Sequence, residues 1–291
     1  MVAKQHSTNS RGMRKLTLKE DSINRDLNVF LEILETPAAF EDELEKSSCQ
    51  ALLEELNEDE VTEAANTSYA YWYVSSMENE KMPPAGRVNA AMKEIKRRFV
   101  GEGGDHNLTL SAIKEALTYR KEYNINILRT CFQQKPSTND NELVAKLEGL
   151  IEEDLSKQKM VVRGRDRDLG AIVYKPPRQS PTDYAEDEAY VITQFYTAER
   201  AIATTEYISC GKQEKVVVIF SFSGYASANS ASISAMKEST RVMQRVYPER
   251  LKTLLVLDSP FWMRALFAMI YPFLSYATQA KISMKSGKVR E

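Results

Sequence analysis

The stretch 246–281 constrains the fold more than any other part of the chain. It holds a short apolar run, 253–257, and then a helix-length apolar segment, 261–271, that ends before Pro272. The large apolar residues of that segment are Phe261, Trp262, Met263, Leu266, Phe267, Met269, Ile270 and Tyr271. A water-soluble protein does not expose such a segment unless something apolar covers it. The cover is either the protein's own core or a bound molecule such as a lipid.

Length and composition suit one large domain or two smaller ones. The chain has 291 residues, 43% of them hydrophobic, which is enough for a sizeable core. A formal net charge of −2 argues against a nucleic-acid-binding protein, since such proteins carry a strong basic excess. The three cysteines, Cys49, Cys131 and Cys210, are widely spaced. They predict thiols in a reducing compartment and neither a disulfide framework nor a zinc site.

The termini and the apolar segments predict a soluble, cytoplasmic protein. Residues 1–14 are basic and lack the apolar core of a secretory signal. They are interpreted as a disordered tail, with a weak transit peptide as the alternative. The segment 261–277 is interrupted by Arg264 and Pro272, whereas a membrane-spanning helix needs about 20 apolar residues.

Three regions differ in their residue patterns. Residues 1–25 are polar and are predicted to be a flexible tail, whereas residues 26–158 show helical periodicity. From 159 to 291, apolar strands alternate with helices, which predicts an α/β lobe with a mostly parallel sheet behind an all-α lobe. Acidic positions in the helical region are interpreted as a solvated face, with a partner site as the alternative. They are Glu41, Asp42, Glu43, Glu54, Glu55, Glu58, Asp59 and Glu60.

The elements of the α/β lobe can be placed from their patterns. The runs 160–162 and 171–174 flank a turn-rich connection and predict a hairpin. The nearly continuous apolar run 216–222 predicts a central strand covered on both faces. The predicted helices are 184–208 and 230–246, and 253–257 is predicted to be a second buried strand.

Motifs for catalysis fail one by one, so no enzyme activity is expected. The sequence around Ser221 and Ser223 lacks the spacing of a hydrolase nucleophile elbow. The glycines of 101–104 have neither the ending of a P-loop nor the full dinucleotide fingerprint. Asp166 and Asp168 resemble the start of a calcium loop, but its later Gly and Glu are missing. No catalytic residue, metal ligand or cofactor is predicted.

Several short motifs occur in the order found in one family. The run 247–250, Tyr-Pro-Glu-Arg, is followed by a strand, an aromatic helix, Pro-Phe-Leu and Lys-Ile. The segment 163–174 resembles a family hairpin, and 113–127 a helix that closes a family's N-terminal lobe. Together these motifs resemble the CRAL-TRIO family, whose fungal members carry phosphatidylinositol and phosphatidylcholine. The resemblance covers about residues 97–281.

The resemblance implies a pair of headgroup residues. In members that bind phosphatidylinositol, the Glu of the Tyr-Pro-Glu-Arg motif and the Lys that opens the last strand contact the headgroup, and these match Glu249 and Lys281. A carboxylate accepts hydrogen bonds from inositol hydroxyls, and an ammonium pairs with the phosphate. The alternative is that Glu249 pairs with Arg245 or Arg250 at the surface and Lys281 is a solvated strand end.

The resemblance also implies an apolar pocket and a gate. The pocket residues would be Val191, Phe195, Ile202, Val218, Phe220, Leu255, Leu257, Phe267 and Ile270, for which ordinary core is the alternative. The gate helix would carry Phe261, Trp262, Arg264, Leu266 and Phe267 to the membrane, with a permanently buried helix as the alternative. Val216, Val217 and Val218 stand where phosphatidylcholine-binding members place hydroxyl side chains, which argues against a second, choline-lipid site.

These features predict a monomeric lipid-transfer protein that encloses a phospholipid, with phosphatidylinositol favoured, and that meets the membrane transiently. One alternative keeps the fold and binds another hydrophobic ligand, such as a terpenoid or a sterol. The other alternative is an adaptor that only docks onto membranes or partners.

Overall fold

The protein is described by a computed structural model that covers residues 20–77, 81–132, 142–156, 160–176, 187–224 and 232–285. Helices make up the first part of the described chain, and a sheet flanked by helices makes up the second. The first helix begins at Glu20, inside the predicted tail, and residues 1–19 of that tail lie outside the described residues.

The first part is a helical lobe. Its elements are α1 (Glu20–Glu35), α2 (Glu43–Glu54), α3 (Glu58–Ala65), α4 (Tyr69–Ser75), α5 (Gly86–Gly101), α6 (His106–Glu122), α7 (Ile125–Leu128), a 3₁₀ turn (Arg129–Phe132) and α8 (Glu142–Ser156).

Side-chain caps fix where several of these helices begin. Asp42, Ser68 and Asp105 each accept a hydrogen bond from the backbone N–H three residues further on. Asn57 and Glu60 form a reciprocal capping box at the start of α3. Each cap satisfies a backbone donor that would otherwise lack a helical partner, and it contributes about 1 kcal/mol to stability.

Apolar faces of α1 to α6 meet in one core. Leu34, Leu52, Ile95 and Ile113 come from four of these helices, and each is at most 1% exposed. Burying a side chain of this size stabilises the fold by about 1.5–3 kcal/mol. The helical lobe is therefore held by its own core.

The second part is built on a five-stranded sheet. Its strands lie side by side in chain order: β1 (Val161–Arg165), β2 (Ala171–Lys175), β3 (Val216–Ser221), β4 (Leu251–Leu257) and β5 (Ile282–Lys285). Strands β1 and β2 form an antiparallel hairpin, and each later strand pairs with the one before it in parallel. The predicted hairpin and the mostly parallel sheet are confirmed.

Helices connect the parallel strands. They are α9 (Asp187–Ser209) between β2 and β3, α10 (Ile233–Val246) between β3 and β4, and then α11 (Phe261–Ile270), a 3₁₀ turn (Tyr271–Phe273) and α12 (Tyr276–Ala280) before β5. Among the described residues, none of the helices has the length and apolarity that crossing a membrane requires. The predicted helical lobe followed by an α/β lobe is the observed architecture.

Polar and charged side chains, most of them buried, meet between the two lobes. This interlobe network consists of Glu94, Arg97, Arg98, Arg120, Arg129, Glu199, Glu206, Glu214, Tyr247 and Arg250. At its centre Glu199 of α9 binds Arg120 at 3.0 Å and Arg129 at 2.6 Å. Removing one partner from such a buried pair costs about 3–5 kcal/mol because the other charge stays buried and unpaired. The network therefore fixes how the lobes sit on each other.

A second carboxylate of α9, that of Glu206, binds backbone amides of the helical lobe. Glu206 Oε2 accepts hydrogen bonds from the backbone N–H of Tyr69 at 2.9 Å and of Ala70 at 3.2 Å. These amides lie at the start of α4, where the helix dipole favours a negative charge. Glu206 also faces Arg250 at 3.7 Å, so one side chain joins α4 to the start of β4.

Candidate functional site

A large cavity lies on one face of the sheet, beneath α9 and α10. Its volume is about 1070 Å³, just above the roughly 300–1,000 Å³ of small-molecule pockets. Residues of α9, α10 and the 3₁₀ turn before α12 form its walls, and β2, β3 and β4 form its floor.

A row of apolar side chains forms that floor. Val173, Val218 and Leu254 are register neighbours on β2, β3 and β4, and all three line the cavity. On β3, Val216 and Phe220 extend the floor on either side of Val218, as expected because alternate residues of a strand point to the same face. Ile202 of α9 covers the row from above. The space is suited to acyl chains.

Charged side chains stand at one end of the cavity, just before the parallel strands begin. Lys281 Nζ donates a hydrogen bond to Glu249 Oε2 at 2.9 Å, and both side chains are about one-fifth exposed. Lys215 Nζ lies 3.7 Å from the same oxygen. The structure thus brings the two predicted headgroup residues together at the lining of the cavity.

The neighbours of Glu249 in the chain are anchored in the interlobe network. Tyr247 Oη donates a hydrogen bond to Glu199 at 2.9 Å, and burial raises the pKa of Tyr247 well above its usual value, so this donor stays neutral. Arg250 is buried and donates to the carbonyl oxygen of Glu214 at 3.3 Å. Between them Glu249 has a left-handed φ of 54°, a conformation that a non-glycine residue keeps only where its surroundings impose it.

The other predicted pocket residues occupy different places. Ile202, Val218 and Phe220 line the cavity. Val191 lines a separate cleft of about 460 Å³, and Phe195 is buried in a core with α6, α7 and α8. Val191 and Phe195 each follow directly after an α9 residue that lines the large cavity, Tyr190 and Gln194. Their side chains therefore point to a different side of the helix.

Leu255 and Leu257 lie on the opposite face of the sheet from the cavity, because they alternate with Leu254 and Val256 along β4. Strand 253–257 is apolar at almost every position, so its sequence does not show which face is which.

Phe267 and Ile270 pack with Phe222 and Val256, at the carboxyl end of the strands. They cover the floor next to the cavity.

Comparison with known proteins identifies the second half of the chain. Residues 155–290 match the model of the CRAL/TRIO domain. The chain carries a CRAL/TRIO domain. Its fold resembles that of a solved structure titled "Crystal structure of Sfh5", with a TM-score of 0.51 and 14% sequence identity over 85% of this chain and 82% of that one. At this identity the likeness shows the fold alone. No curated protein sequence matches the chain.

CRAL/TRIO domains bind lipids, and the residues that line the apolar cavity lie within the matched range, apart from Gly101 and Glu102 of the helical lobe. The predicted CRAL-TRIO resemblance is therefore confirmed over residues 155–290 and for the fold, and the chain carries a lipid-binding domain.

One polar residue of the CRAL/TRIO domain that the sequence gave no reason to choose fastens the wall of the cavity. Gln244 of α10 donates to the carbonyl oxygen of Phe273 at 2.7 Å and accepts from the backbone N–H of Ser275 at 2.6 Å. It thereby ties the end of the 3₁₀ turn and the start of α12 to α10. A single glutamine on a helix has no pattern that predicts such a bridge.

The helix α11 presents apolar side chains to solvent. Phe261 is 88% exposed and Met269 is 48% exposed, whereas Phe267 and Ile270 pack on the sheet. Arg264 is also exposed. The side chains of Trp262 and Leu266 lie outside the described part of the structure. Beyond the helix, Phe273 and Tyr276 are 55% and 86% exposed, which extends the apolar surface to α12. We name the exposed side chains of Phe261, Tyr271, Phe273 and Tyr276 the aromatic rim.

The residues weighed for catalysis or metal binding have structural partners. Asp166 and Asp168 both pair with the ammonium of Lys252, which occupies the place between them that a cation would take. Cys49 is fully buried, and burial raises the pKa of its thiol to about 11. In the part of the chain that the structure describes, no group of three or more His, Cys, Asp or Glu side chains is arranged to hold a metal ion.

Proposed function

We propose that this protein encloses one phospholipid, with phosphatidylinositol favoured, and exchanges it between membranes. The observation that carries the proposal is the pairing of Lys281 with Glu249 at the charged end of an apolar cavity. In the lipid-bound state the ammonium of Lys281 pairs with the phosphate, and the carboxylate of Glu249 accepts hydrogen bonds from inositol hydroxyls.

The apolar part of the cavity and its charged end contribute to lipid binding in different ways. Moving one CH₂ group out of water is worth about 0.8 kcal/mol, so a chain of roughly 16 carbons needs an enclosed apolar space to cross the cytosol. This contribution is the same for every lipid with the same chains. Selection of a headgroup must therefore come from the few polar contacts at the charged end, each worth about 1.5–3 kcal/mol.

The helix α11 acts as the gate in this proposal. Its packed side, Phe267 and Ile270, covers the sheet beside the cavity, and its exposed side carries Phe261. Pro260 precedes the helix and Pro272 follows it, so both ends interrupt helical hydrogen bonding and can serve as hinges. Aromatic side chains suit the membrane interface, and the rim would enter it while Arg264 meets anionic phosphates.

The headgroup assignment is tested with Lys281→Ala and Glu249→Ala. Either variant should lower the rate of phosphatidylinositol transfer between vesicles by about tenfold or more, since each removes a contact of about 1.5–3 kcal/mol. The thermal midpoint should stay close to that of the wild type, because both side chains are partly exposed.

The control is the exposed pair Lys46 and Glu43 on α2, whose Nζ to Oε2 distance is 3.3 Å. Lys46→Ala and Glu43→Ala remove the same chemical groups far from the cavity and should leave transfer unchanged. Transfer at the wild-type rate by both Lys281→Ala and Glu249→Ala would show that the assignment is wrong.

A further inference from the structure

Three charged residues precede three neighbouring parallel strands. Lys215 comes directly before β3, Lys281 directly before β5, and Glu249 is separated from β4 only by Arg250. Because β3, β4 and β5 are adjacent and parallel, their starts lie along one edge of the sheet. The two lysines therefore flank the glutamate, and both reach the same oxygen, Lys281 at 2.9 Å and Lys215 at 3.7 Å.

The formal charges of this trio do not cancel. Lys281 and Glu249 alone are neutral, so a phosphodiester of charge −1 placed beside them would leave a net negative charge. With Lys215 included, the cluster carries +1 and matches that phosphodiester. The neighbouring Glu102 lines the cavity and lies 3.6 Å from Arg245, which is also 3.3 Å from Glu115.

The backbone of Lys215 is held in a fixed position. Its N–H donates to Gln213 Oε1 at 2.9 Å. Its carbonyl oxygen lies against Gly170 of the β1–β2 hairpin, where an added Cβ would come within 2.6 Å of that oxygen. Only a glycine permits this approach. The side chain itself is 46% exposed and does not line the cavity, but its ammonium lies 3.7 Å from Oε2 of Glu249, which does.

We propose that Lys215 is a third headgroup residue and that it selects anionic over zwitterionic phospholipids. The inference rests on the proposed function, in which Glu249 and Lys281 hold the headgroup. An anionic headgroup leaves the trio neutral. A choline headgroup carries its own positive charge, so it leaves the trio at +1 and brings a quaternary ammonium towards Lys215.

The test compares Lys215→Gln with Lys212→Gln, which removes the same charge from an exposed lysine in the turn before β3. Transfer of phosphatidylinositol and of phosphatidylcholine is measured in parallel. Lys215→Gln should lower the ratio of the two rates by about three- to fivefold, the size expected for a half-exposed ion pair. Lys212→Gln should keep the ratio, and Lys215→Arg should largely restore it.

The outcomes separate the inference from the proposed function. If Lys281→Gln slows phosphatidylinositol transfer while Lys215→Gln leaves the ratio unchanged, the inference is wrong and the proposed function stands. An equal loss of both lipids in Lys215→Gln would indicate a structural role and also overturn the inference. If neither lysine affects transfer, both the inference and the headgroup assignment on which it rests are wrong.

Discussion

At the scale of single residues, the Tyr-Pro-Glu-Arg segment joins ligand binding to the stability of the fold. Glu249 faces the cavity, while the half-buried Tyr247 and the buried Arg250 on either side of it belong to the interlobe network. Burial raises the pKa of Glu199, but Arg129, Arg120 and the hydrogen bonds of Arg129 and Tyr247 outweigh burial, so the net pKa is lowered. The ionised form of Glu199 is therefore the one that stabilises the folded protein.

We expect Glu199→Gln to lower the free energy of unfolding at pH 7 by about 3–5 kcal/mol, because Arg120 and Arg129 lose their shared partner. The folded pKa lies below the unfolded value of about 4.3, so this stabilisation is present above that pH and is lost as the pH falls through the folded pKa. The variant should therefore lose less stability than the wild type on acidification.

Urea unfolding at pH 7 and in the acidic range measures both effects, with Glu43→Gln as the control because its side chain is 89% exposed. A change in Glu199→Gln as small as that of the control would contradict the account of the network.

Residue-level predictability differed between the apolar and charged parts of the site. The run 216–222 predicted β3, and Val218 and Phe220 line the cavity as expected. The partners of Glu199 and Glu206 come from distant parts of the chain, and no local pattern distinguishes such carboxylates from solvated ones. Lys215 could have been predicted from the sequence as a neighbour of the headgroup residues, since it precedes β3 just as Lys281 precedes β5.

At the scale of elements, periodicity predicted each strand better than its orientation. Strand β4 is apolar on both faces, so Leu255 and Leu257 were expected in the pocket that Leu254 lines. The predicted pocket face of α9, with Val191 and Phe195, likewise differs from the face that lines the cavity. The two faces are hard to tell apart because this helix is buried around most of its circumference. Period alone cannot choose between two apolar faces.

The gate predicts that α11 moves when the protein meets a membrane. With Cys131 and Cys210 replaced by Ser, spin labels at positions 269 on α11 and 108 on α6 report the distance between this helix and the helical lobe. Adding vesicles should lengthen that distance, since the aromatic rim enters the interface. A label pair at positions 44 and 108, both in the helical lobe and both exposed, is the control and should not change. An unchanged 269–108 distance with vesicles present would contradict the gate.

At the scale of the whole molecule, the helical lobe and the CRAL/TRIO domain form one structure through the interlobe network. The network reaches the charged end of the cavity through Tyr247 and Arg250, and Gly101 and Glu102 of the helical lobe line the cavity beside Glu249. The helical lobe therefore supports the headgroup site. The order of helical lobe and α/β lobe followed from residue patterns, but the ionic contacts between the lobes did not.

Native mass spectrometry of the full chain tests the central claim most directly. The protein is incubated with vesicles that contain equal amounts of phosphatidylinositol and phosphatidylcholine, then separated from them and measured intact. We expect one phospholipid per chain, mostly phosphatidylinositol, and a loss of that preference in Lys281→Ala. A wild-type chain that carries no phospholipid, or that keeps a different hydrophobic molecule from the cell, would contradict the account.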